Sequence, residues 1–301
     1  QVSNFMALAA YGMYGPYNTV RNVMTNAELD KTNPQSLLNL LKGLRNYKHE
    51  VLYCGQSTPE ELVKAVDENH AIGKTLANVP QNKAYTKVQT KENAVWIAPY
   101  EAKNIYMMQV NNDNRQWTPD NAAINALFNN YFGGSMNAIV FQEMREARGL
   151  AYSSQAWISE PNDKSKPYTY MAFVATQNDK MPQAIDAFME IINNMPESEA
   201  AFKIAKDAIL ARLRTERTVK GDVLWAYLHA KDMGVDYDRN KAIFEKVQSM
   251  TLADVKAFQE KWIKGRTYHY AVLGNSKDID MNKLRSLGEV KLLTPQDIFG
   301  Y

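Results

Sequence analysis

The sequence predicts an α+β fold of two layers, in which helices pack on one face of a mainly antiparallel sheet. Two distant segments, 34–66 and 251–287, both have the pattern helix, strand, helix, which indicates that one structural unit occurs twice. Apolar strand patterns and amphipathic helix patterns fill the stretch between them. The chain has 301 residues, of which 45% are hydrophobic and 23% charged. This is enough for one large or two ordinary domains with buried cores.

Apolar periodicity predicts the elements in chain order. Segment 34–66 begins with a helix, continues with a strand at 50–54 and ends with a second helix. The middle of the chain then contains strands at 85–89, 95–98 and 105–110, helices at 119–131 and 136–147, strands at 152–158 and 168–176, and helices at 181–195 and 197–231. The second helix, strand, helix segment closes the chain.

The two similar segments differ in what precedes them, and this difference predicts the domain organisation. With a constant offset, Tyr47 aligns with Tyr268. A full set of strands and helices precedes the second segment but not the first. We therefore expect residues 85–301 to form a complete domain, residues 76–84 a linker, and residues 1–75 the rear half of a similar domain. On this interpretation the chain is a fragment of a longer protein, or one whose leader has been removed.

The charge and the apolar runs exclude several classes of partner. The chain has 35 basic and 33 acidic residues, a formal net charge of +2, so its electrostatics do not favour nucleic acid or an anionic membrane. No apolar run approaches the roughly 20 residues that span a bilayer. The single cysteine, Cys54, excludes an internal disulfide and leaves the redox compartment open. The expected compartment is the bacterial periplasm, with the cytoplasm as the alternative.

The most informative stretch is 131–153, YFGGSMNAIVFQEMREARGLAYS. It reads as a Gly-Gly turn, a helix with an apolar stripe, and a strand. Gly149 is placed to end the helix. This arrangement puts Arg145 near a helix C-terminus and Tyr152 at the start of the following strand, so the two polar side chains are expected to lie together.

Both residues also have a purely structural interpretation. A basic residue such as Arg145 is favoured near a helix C-terminus by the macrodipole and by pairing with a nearby glutamate. Tyr152 could be a strand aromatic that packs its ring in the core with its hydroxyl at the rim. The local pattern does not decide between these interpretations and a functional one.

The segment 141–153, FQEMREARGLAYS, resembles the C-terminal half of the pitrilysin/insulinase (M16) zinc metallopeptidases. The pattern of that family at this place is a Gly-rich turn, a helix and Leu-Arg-x-x-x-x-Leu-x-Tyr. Met144 stands where leucine is common, and Ser135 replaces a third glycine. The resemblance implies a fold like that of the mitochondrial processing peptidases. It also implies four such domains in series, of which this chain would cover the end of the third and all of the fourth.

The resemblance further implies roles for the two residues. In that family an arginine and a tyrosine seven residues apart bind the peptide that is cut, and Arg145 and Tyr152 have this separation. Tyr152 would donate to the developing oxyanion and Arg145 would hold a substrate carbonyl. The peptide itself would add to a sheet edge by backbone hydrogen bonding.

The zinc that this family uses is expected to lie outside the chain. Neither H-x-x-E-H nor H-E-x-x-H occurs, and His49, His70, His229 and His269 are scattered. Glu68 and His70 are two residues apart near a helix end, so we expect a surface helix end there rather than a metal site. The implied partners are a peptide substrate and an N-terminal zinc-binding half of the same protein or a partner subunit. The alternative is a non-catalytic scaffold or partner subunit with this fold.

The chain alone is predicted to bind no zinc and to cut no peptide, because it offers only four scattered His residues and one Cys as nitrogen and sulfur ligands. Elemental analysis after gel filtration and a fluorogenic peptide assay measure these two properties. Stoichiometric zinc, or turnover that a chelator blocks, would contradict the prediction.

Overall fold

The structure is a computed structural model that describes residues 5–219 and 221–300. These residues form two compact units. The sheet unit comprises 5–22, 85–216 and 230–300. The helical unit comprises 23–84, 217–219 and 221–229. No helix in the described ranges is both long and apolar enough to cross a membrane.

The sheet unit contains one six-stranded sheet. Its strands are β1 (Ala94–Pro99), β2 (Asn104–Asn111), β3 (Ser153–Ser159), β4 (Thr169–Gln177), β5 (His269–Gly274) and β6 (Glu289–Leu292). Their order across the sheet is β3-β4-β2-β5-β1-β6. The first three neighbouring pairs are antiparallel and the last two, β5 with β1 and β1 with β6, are parallel. The predicted α+β class with a mainly antiparallel sheet is therefore confirmed.

The described helices are, in chain order, α1 (Phe5–Tyr14), α2 (Asn26–Asp30), α3 (Pro34–Gly43), α4 (Pro59–Asn69), α5 (Ala122–Phe132), α6 (Ile139–Phe141), α7 (Met181–Asn193), α8 (Glu199–Thr215), α9 (Asp222–Asp232), α10 (Arg239–Ser249), α11 (Leu252–Trp262), α12 (Met281–Leu287) and α13 (Pro295–Phe299). A π-helical segment, Gln142–Ala147, continues α6. Short 3₁₀ turns occupy Leu44–Asn46, Pro119–Asn121 and Asn178–Lys180.

The larger core lies between one face of the sheet and a layer of helices that includes α5, α7, α8 and α11. Phe128 stacks on Phe132 within α5, with ring centroids 4.9 Å apart, and also contacts Phe258 of α11 at 5.3 Å. Aromatic pairs at such separations stabilise a core beyond the area that they bury. Helices that are distant in the sequence are thus packed together in the predicted layer.

The opposite face of the sheet is also covered, by α1 and α13. Phe5 and Leu8 of α1 and Ile298 of α13 are buried against the sheet residues Met108 and Leu273. Strand β5 is therefore buried on both faces. The structure thus adds a smaller second helical cover to the predicted layer on one face.

The outer edge of β3 is closed by the end of α5. The Gly133 carbonyl accepts the Ala156 N–H at 3.3 Å, and the Asn129 side chain bonds both the N–H and the carbonyl of Ile158. A Cβ on Gly133 would lie 2.4 Å from the Ala156 backbone nitrogen. Because these edge groups are already paired, this stretch of β3 is not open to a further strand, so peptide addition is not available here.

The helical unit differs from its prediction at one element. The predicted strand at 50–54 is wrong, because these residues are exposed and have no strand partner among the described residues. The bridge between Tyr47 and Ala77 is an isolated pair outside the named strands. A strand that lacks a neighbour cannot satisfy its backbone groups by a ladder. Here the segment therefore stays irregular despite its apolar residues.

The two segments of the proposed repeat, 34–66 and 251–287, both contain two helices, but only the second has a strand that is buried in the sheet. Val51 is 53% exposed, whereas the aligned Val272 is 0% exposed in the middle of β5. Residues 5–22 group with residues 85–216 rather than with residues 23–84. The interpretation of residues 1–75 as the rear half of a second domain stays a prediction.

Two further expectations differ locally from the structure. The segment 85–89 is not a named strand, although the Val88 N–H donates to the Met13 carbonyl at 2.7 Å. The single helix predicted at 197–231 is two helices, α8 and α9. The helix α8 ends because the backbone at Glu216 adopts an extended conformation (ψ 129°). An extended residue ends the i to i−4 hydrogen-bond ladder.

Gly133→Ala is predicted to lower the free energy of unfolding by about 1–3 kcal/mol, as overpacking against fixed backbone does. Chemical denaturation measures this change. Gly12→Ala is the control, because its Cβ would meet the Trp96 ring at an ordinary 3.4 Å and alanine favours a helix interior. A Gly133→Ala variant as stable as the wild type would contradict the edge contact.

Amide hydrogen exchange is predicted to be fast in α3 and α4 and slow in α1. Neither α3 nor α4 has a buried residue, whereas Phe5 and Leu8 bury α1 against the sheet. Local opening is easiest where few apolar side chains are buried. Deuterium uptake followed by mass spectrometry checks this, and equal protection of α1, α3 and α4 would show it to be wrong.

Candidate functional site

The helix that carries Arg145 is short and changes from an α-helix to a π-helix. It begins at Ile139, and its N-cap residue Ala138 makes no side-chain hydrogen bond. From Gln142 to Ala147 it is π-helical, and the Arg148 N–H reaches the Glu143 carbonyl, five residues back, at 3.2 Å. Such π turns are frequent at functional sites. The sequence predicts a helix here but contains no signal for the wider turn.

The buried residue Met144 anchors this turn. Its side chain is fully buried, and its carbonyl accepts the N–H groups of both Leu150 and Ala151, at 2.9 and 3.2 Å. Gly149, directly before Leu150, has φ +58°, a left-handed conformation that glycine adopts without strain. The predicted helix end at Gly149 is therefore confirmed, and the chain reverses directly into β3.

Tyr152 stands one residue before β3. Its N–H donates to the Ala175 carbonyl of β4 at 2.9 Å, so its backbone is fixed to the sheet. Its side chain is 77% exposed, and its hydroxyl makes no hydrogen bond within the described part of the chain. This placement contradicts the alternative of a core aromatic.

Arg145 lies next to Tyr152, as the seven-residue step predicts. Its guanidinium carbon is 5.3 Å from the centroid of the Tyr152 ring and 5.1 Å from that of Phe141, distances at which a cation interacts with a ring face. Its one ion pair within 5–219 and 221–300 is a contact of 3.6 Å with Glu146, in which both side chains are about half exposed. Such an exposed pair is weak. The guanidinium N–H groups thus remain available to a ligand.

An open cavity of about 400 Å³ joins these two residues to the ends of two strands. It is lined by Asn104, Arg145, Gly149, Leu150, Ala151, Tyr152, Thr176, Gln177 and Lys180. None of these lining residues is acidic. Lys180 reaches the cavity from the turn before α7 and donates its Nζ to the Gly149 carbonyl at 3.0 Å. Sequence reasoning missed Lys180, because no local motif connects it to Arg145.

The neighbouring Arg148 has a structural role. Its guanidinium contacts Glu190 of α7 at 2.8 Å and Glu143 at 3.5 Å. The hydrogen bond from Arg148 holds the pKa of the Glu190 carboxyl below its ordinary value, and the same bond raises the pKa of Arg148. The pair links the π turn to α7. Of the two arginines of this turn, Arg145 is the one that faces the cavity.

The described residues do not fit a zinc ion. No group of three or more His, Cys, Asp or Glu side chains in 5–219 and 221–300 is placed to hold a metal, and a zinc site uses at least three protein ligands. The structure does bring His49 and His70 together, with their Nε2 atoms 2.8 Å apart, a pairing that the sequence does not reveal. Glu68, the acidic residue nearest to His70 in the sequence, contacts Lys64 at 4.0 Å.

Several solved structures share this fold. A conserved protein from Enterococcus faecalis V583 has a TM-score of 0.67 at 14% identity, over 92% of this chain and 64% of that one. A peptidase M16 inactive domain from Pseudomonas fluorescens has a TM-score of 0.55 at 16% identity, over 73% of this chain and 52% of that one. A mutant of the ferredoxin protease FusC in complex with Arabidopsis ferredoxin has a TM-score of 0.66 at 13% identity, over 91% of this chain and 30% of that one.

The chain therefore spans between a half and two thirds of the first two proteins and less than a third of the protease. At these identities the likeness concerns the fold. No curated protein sequence matches the chain. The family model described as "Peptidase M16 inactive domain" matches residues 48–209, more than half of the chain. This match covers the π turn, Arg145 and Tyr152, and the chain belongs to the peptidase M16 inactive-domain family.

Proposed function

We propose that this chain is the substrate-binding C-terminal part of a zinc-dependent M16-type metalloendopeptidase that hydrolyses peptides. The observation that carries the proposal is the meeting of Arg145 and Tyr152 at one open cavity, 5.3 Å apart from guanidinium carbon to ring centroid. Both polar groups lack strong partners within the described residues. A pair placed only for stability would be expected to bury its ring or to neutralise its charge.

Tyr152 is proposed to act as the hydrogen-bond donor to the oxyanion that develops on the scissile carbonyl. The backbone N–H of Tyr152 is bonded to β4, which fixes the position of the residue. Its hydroxyl makes no hydrogen bond within the described residues and can therefore donate to a substrate. Preorganised donors of this kind stabilise a transition state more than a ground state.

Arg145 is proposed to hold a carbonyl of the bound peptide. Its planar fork presents several N–H donors in a fixed geometry, and the rings of Phe141 and Tyr152 restrict its orientation. Holding the extended peptide in this way lowers the entropic cost of reaching the reactive geometry.

The zinc of this activity is proposed to lie outside the chain, in an N-terminal half of the same protein or in a partner subunit. This proposal is supported by the lack of a suitable ligand group among the described residues. The peptide is proposed to bind between the two parts. Its strand pairing would come from the zinc-binding part, since Gly133 and Asn129 close the nearby edge of β3.

The second candidate function is a non-catalytic scaffold or partner subunit. The family description, an inactive domain, favours it, because the family includes domains that do not themselves carry out catalysis. The exposed side chain of Tyr152 and the weakly paired charge of Arg145 favour the first candidate. Kinetics of the assembled protein distinguish the two.

In the full-length protein or a reconstituted pair, Tyr152→Phe is predicted to raise the barrier of kcat by about 2–4 kcal/mol, as loss of an oxyanion donor does. Arg145→Ala is predicted to lower kcat/KM more than kcat, because it removes substrate positioning. Steady-state kinetics with a fluorogenic peptide measure both effects.

Matched controls are available for each variant. Tyr237→Phe changes an exposed tyrosine outside the cavity and should leave kcat unchanged. Arg148→Ala removes an arginine of the same turn that pairs with Glu190, so it should reduce stability with little change in KM. Wild-type kinetics for both Tyr152→Phe and Arg145→Ala would favour the scaffold.

A further inference from the structure

We infer that Lys180, together with Arg145, makes this cavity selective for a carboxylate group of the bound peptide. The inference rests on the proposed function and deepens it, since it names the substrate class: peptides with an anionic group beside the scissile region. The carboxylate has two possible sources, a free C-terminus and an acidic side chain, which share the same recognition chemistry.

The first argument is the position of Lys180. It is the N-cap residue of α7, and no side chain caps that helix. Its Nζ donates to the Gly149 carbonyl at 3.0 Å, a neutral acceptor, so the ammonium is held at the cavity wall with its charge intact. The N-terminus of the 13-residue helix α7 adds positive potential at the same place.

The second argument is the charge of the cavity. Its lining contains two cationic residues, Arg145 and Lys180, and no acidic one among the described residues. Arg148, which directly precedes the lining residue Gly149, pairs with Glu143 and Glu190. The positive charge thus remains where a ligand can reach it, and two cations on one open wall favour an anion.

The third argument is the boundary of this positive region. Asn104 and Gln177 form the last antiparallel pair of β2 and β4 and line both this cavity and an adjacent one. The adjacent cavity is lined by Glu101, Asp179 and Asp278 with one lysine, Lys103. A carboxylate is repelled there and attracted beside Lys180, which fixes the direction in which an anionic peptide lies.

A carboxylate also fits the two donors chemically. The guanidinium of Arg145 can offer two parallel N–H groups to the two carboxylate oxygens, and the ammonium of Lys180 acts as a point charge. The amides of Asn104 and Gln177 are further neutral donors on the same wall.

The test compares peptides that differ in one charge. One fluorescent peptide is made with a C-terminal carboxylate or carboxamide, and a second, carboxamide-capped pair differs only in an internal Glu or Gln. Binding to the full chain is measured by fluorescence anisotropy at low and moderate salt, and cleavage is measured with the zinc-bound full-length protein. We expect the anionic member of at least one pair to bind about tenfold more tightly, as one charge-assisted hydrogen bond provides.

Variants of Lys180 test whether this residue causes the preference for the anionic peptide. Lys180→Gln should abolish most of the preference, and Lys180→Arg should restore it. Lys103→Gln makes the same chemical change in the adjacent cavity and should have no effect. The preference should weaken with salt. Thermal midpoints of all variants exclude an effect through unfolding.

The outcomes separate this inference from the proposed function. Equal binding and cleavage of the charged and neutral peptides would overturn the inference and leave the peptidase proposal intact. A preference that survives in Lys180→Gln would also overturn it. A preference that depends on Lys180 without any cleavage would support the carboxylate site and count against the peptidase. Neither binding nor cleavage of any peptide would overturn both.

Discussion

The carbonyl oxygen of Met144 accepts the N–H groups of Leu150 and Ala151, and the candidate site depends on this double hydrogen bond. The buried Met144 side chain fixes the turn in the core. The two bonds then reverse the chain over Gly149 and deliver it to β3. Arg145 and Tyr152 are brought together by this reversal, although the helix and the strand that carry them belong to different layers of the fold.

The sheet supplies the second constraint. Tyr152 is tied to β4 by its N–H, and the outer edge of β3 is closed by Gly133 and Asn129. The closure lies at residues 156–158 and prevents pairing with other chains there. At Tyr152 the N–H is bonded to β4, and the exposed side chain is the group that a ligand can meet.

The distribution of charge divides the nearby cations by role. Arg148 pairs with Glu190 and Glu143 and ties the π turn to α7. Arg145 and Lys180 lie on the cavity wall without comparable carboxylate partners. Arg148 is thus held by two carboxylates, whereas the exposed pair of Arg145 with Glu146 is weak, so the same turn carries one structural arginine and one that can bind a ligand.

Beyond the site, the buried β5 strand connects distant parts of the sheet unit. His269 lies on the α1 face, where its Nδ1 is 3.1 Å from the Gly12 carbonyl and its ring meets Trp96 edge to face. Burial lowers the pKa of His269, and the contact with the Gly12 carbonyl of α1 opposes this shift. The ring of His269 thus contributes to the packing between β5 and α1.

The sequence by itself determined the α+β class, most of the helices and strands, the end of α5 at the Gly-Gly turn, the end of the following helix at Gly149, and the meeting of Arg145 with Tyr152. These features depend on local periodicity, on glycine conformation and on a short spacing along the chain. Only the tertiary structure decided the rest. The segment 50–54 has strand-like residues but no neighbour to pair with, and α1 covers a face of the sheet whose strands come from far along the chain. Lys180 joins the cavity from the turn before α7, and the π turn carries Met144 into the core. Each of these depends on contacts between residues distant in sequence, which no local pattern records.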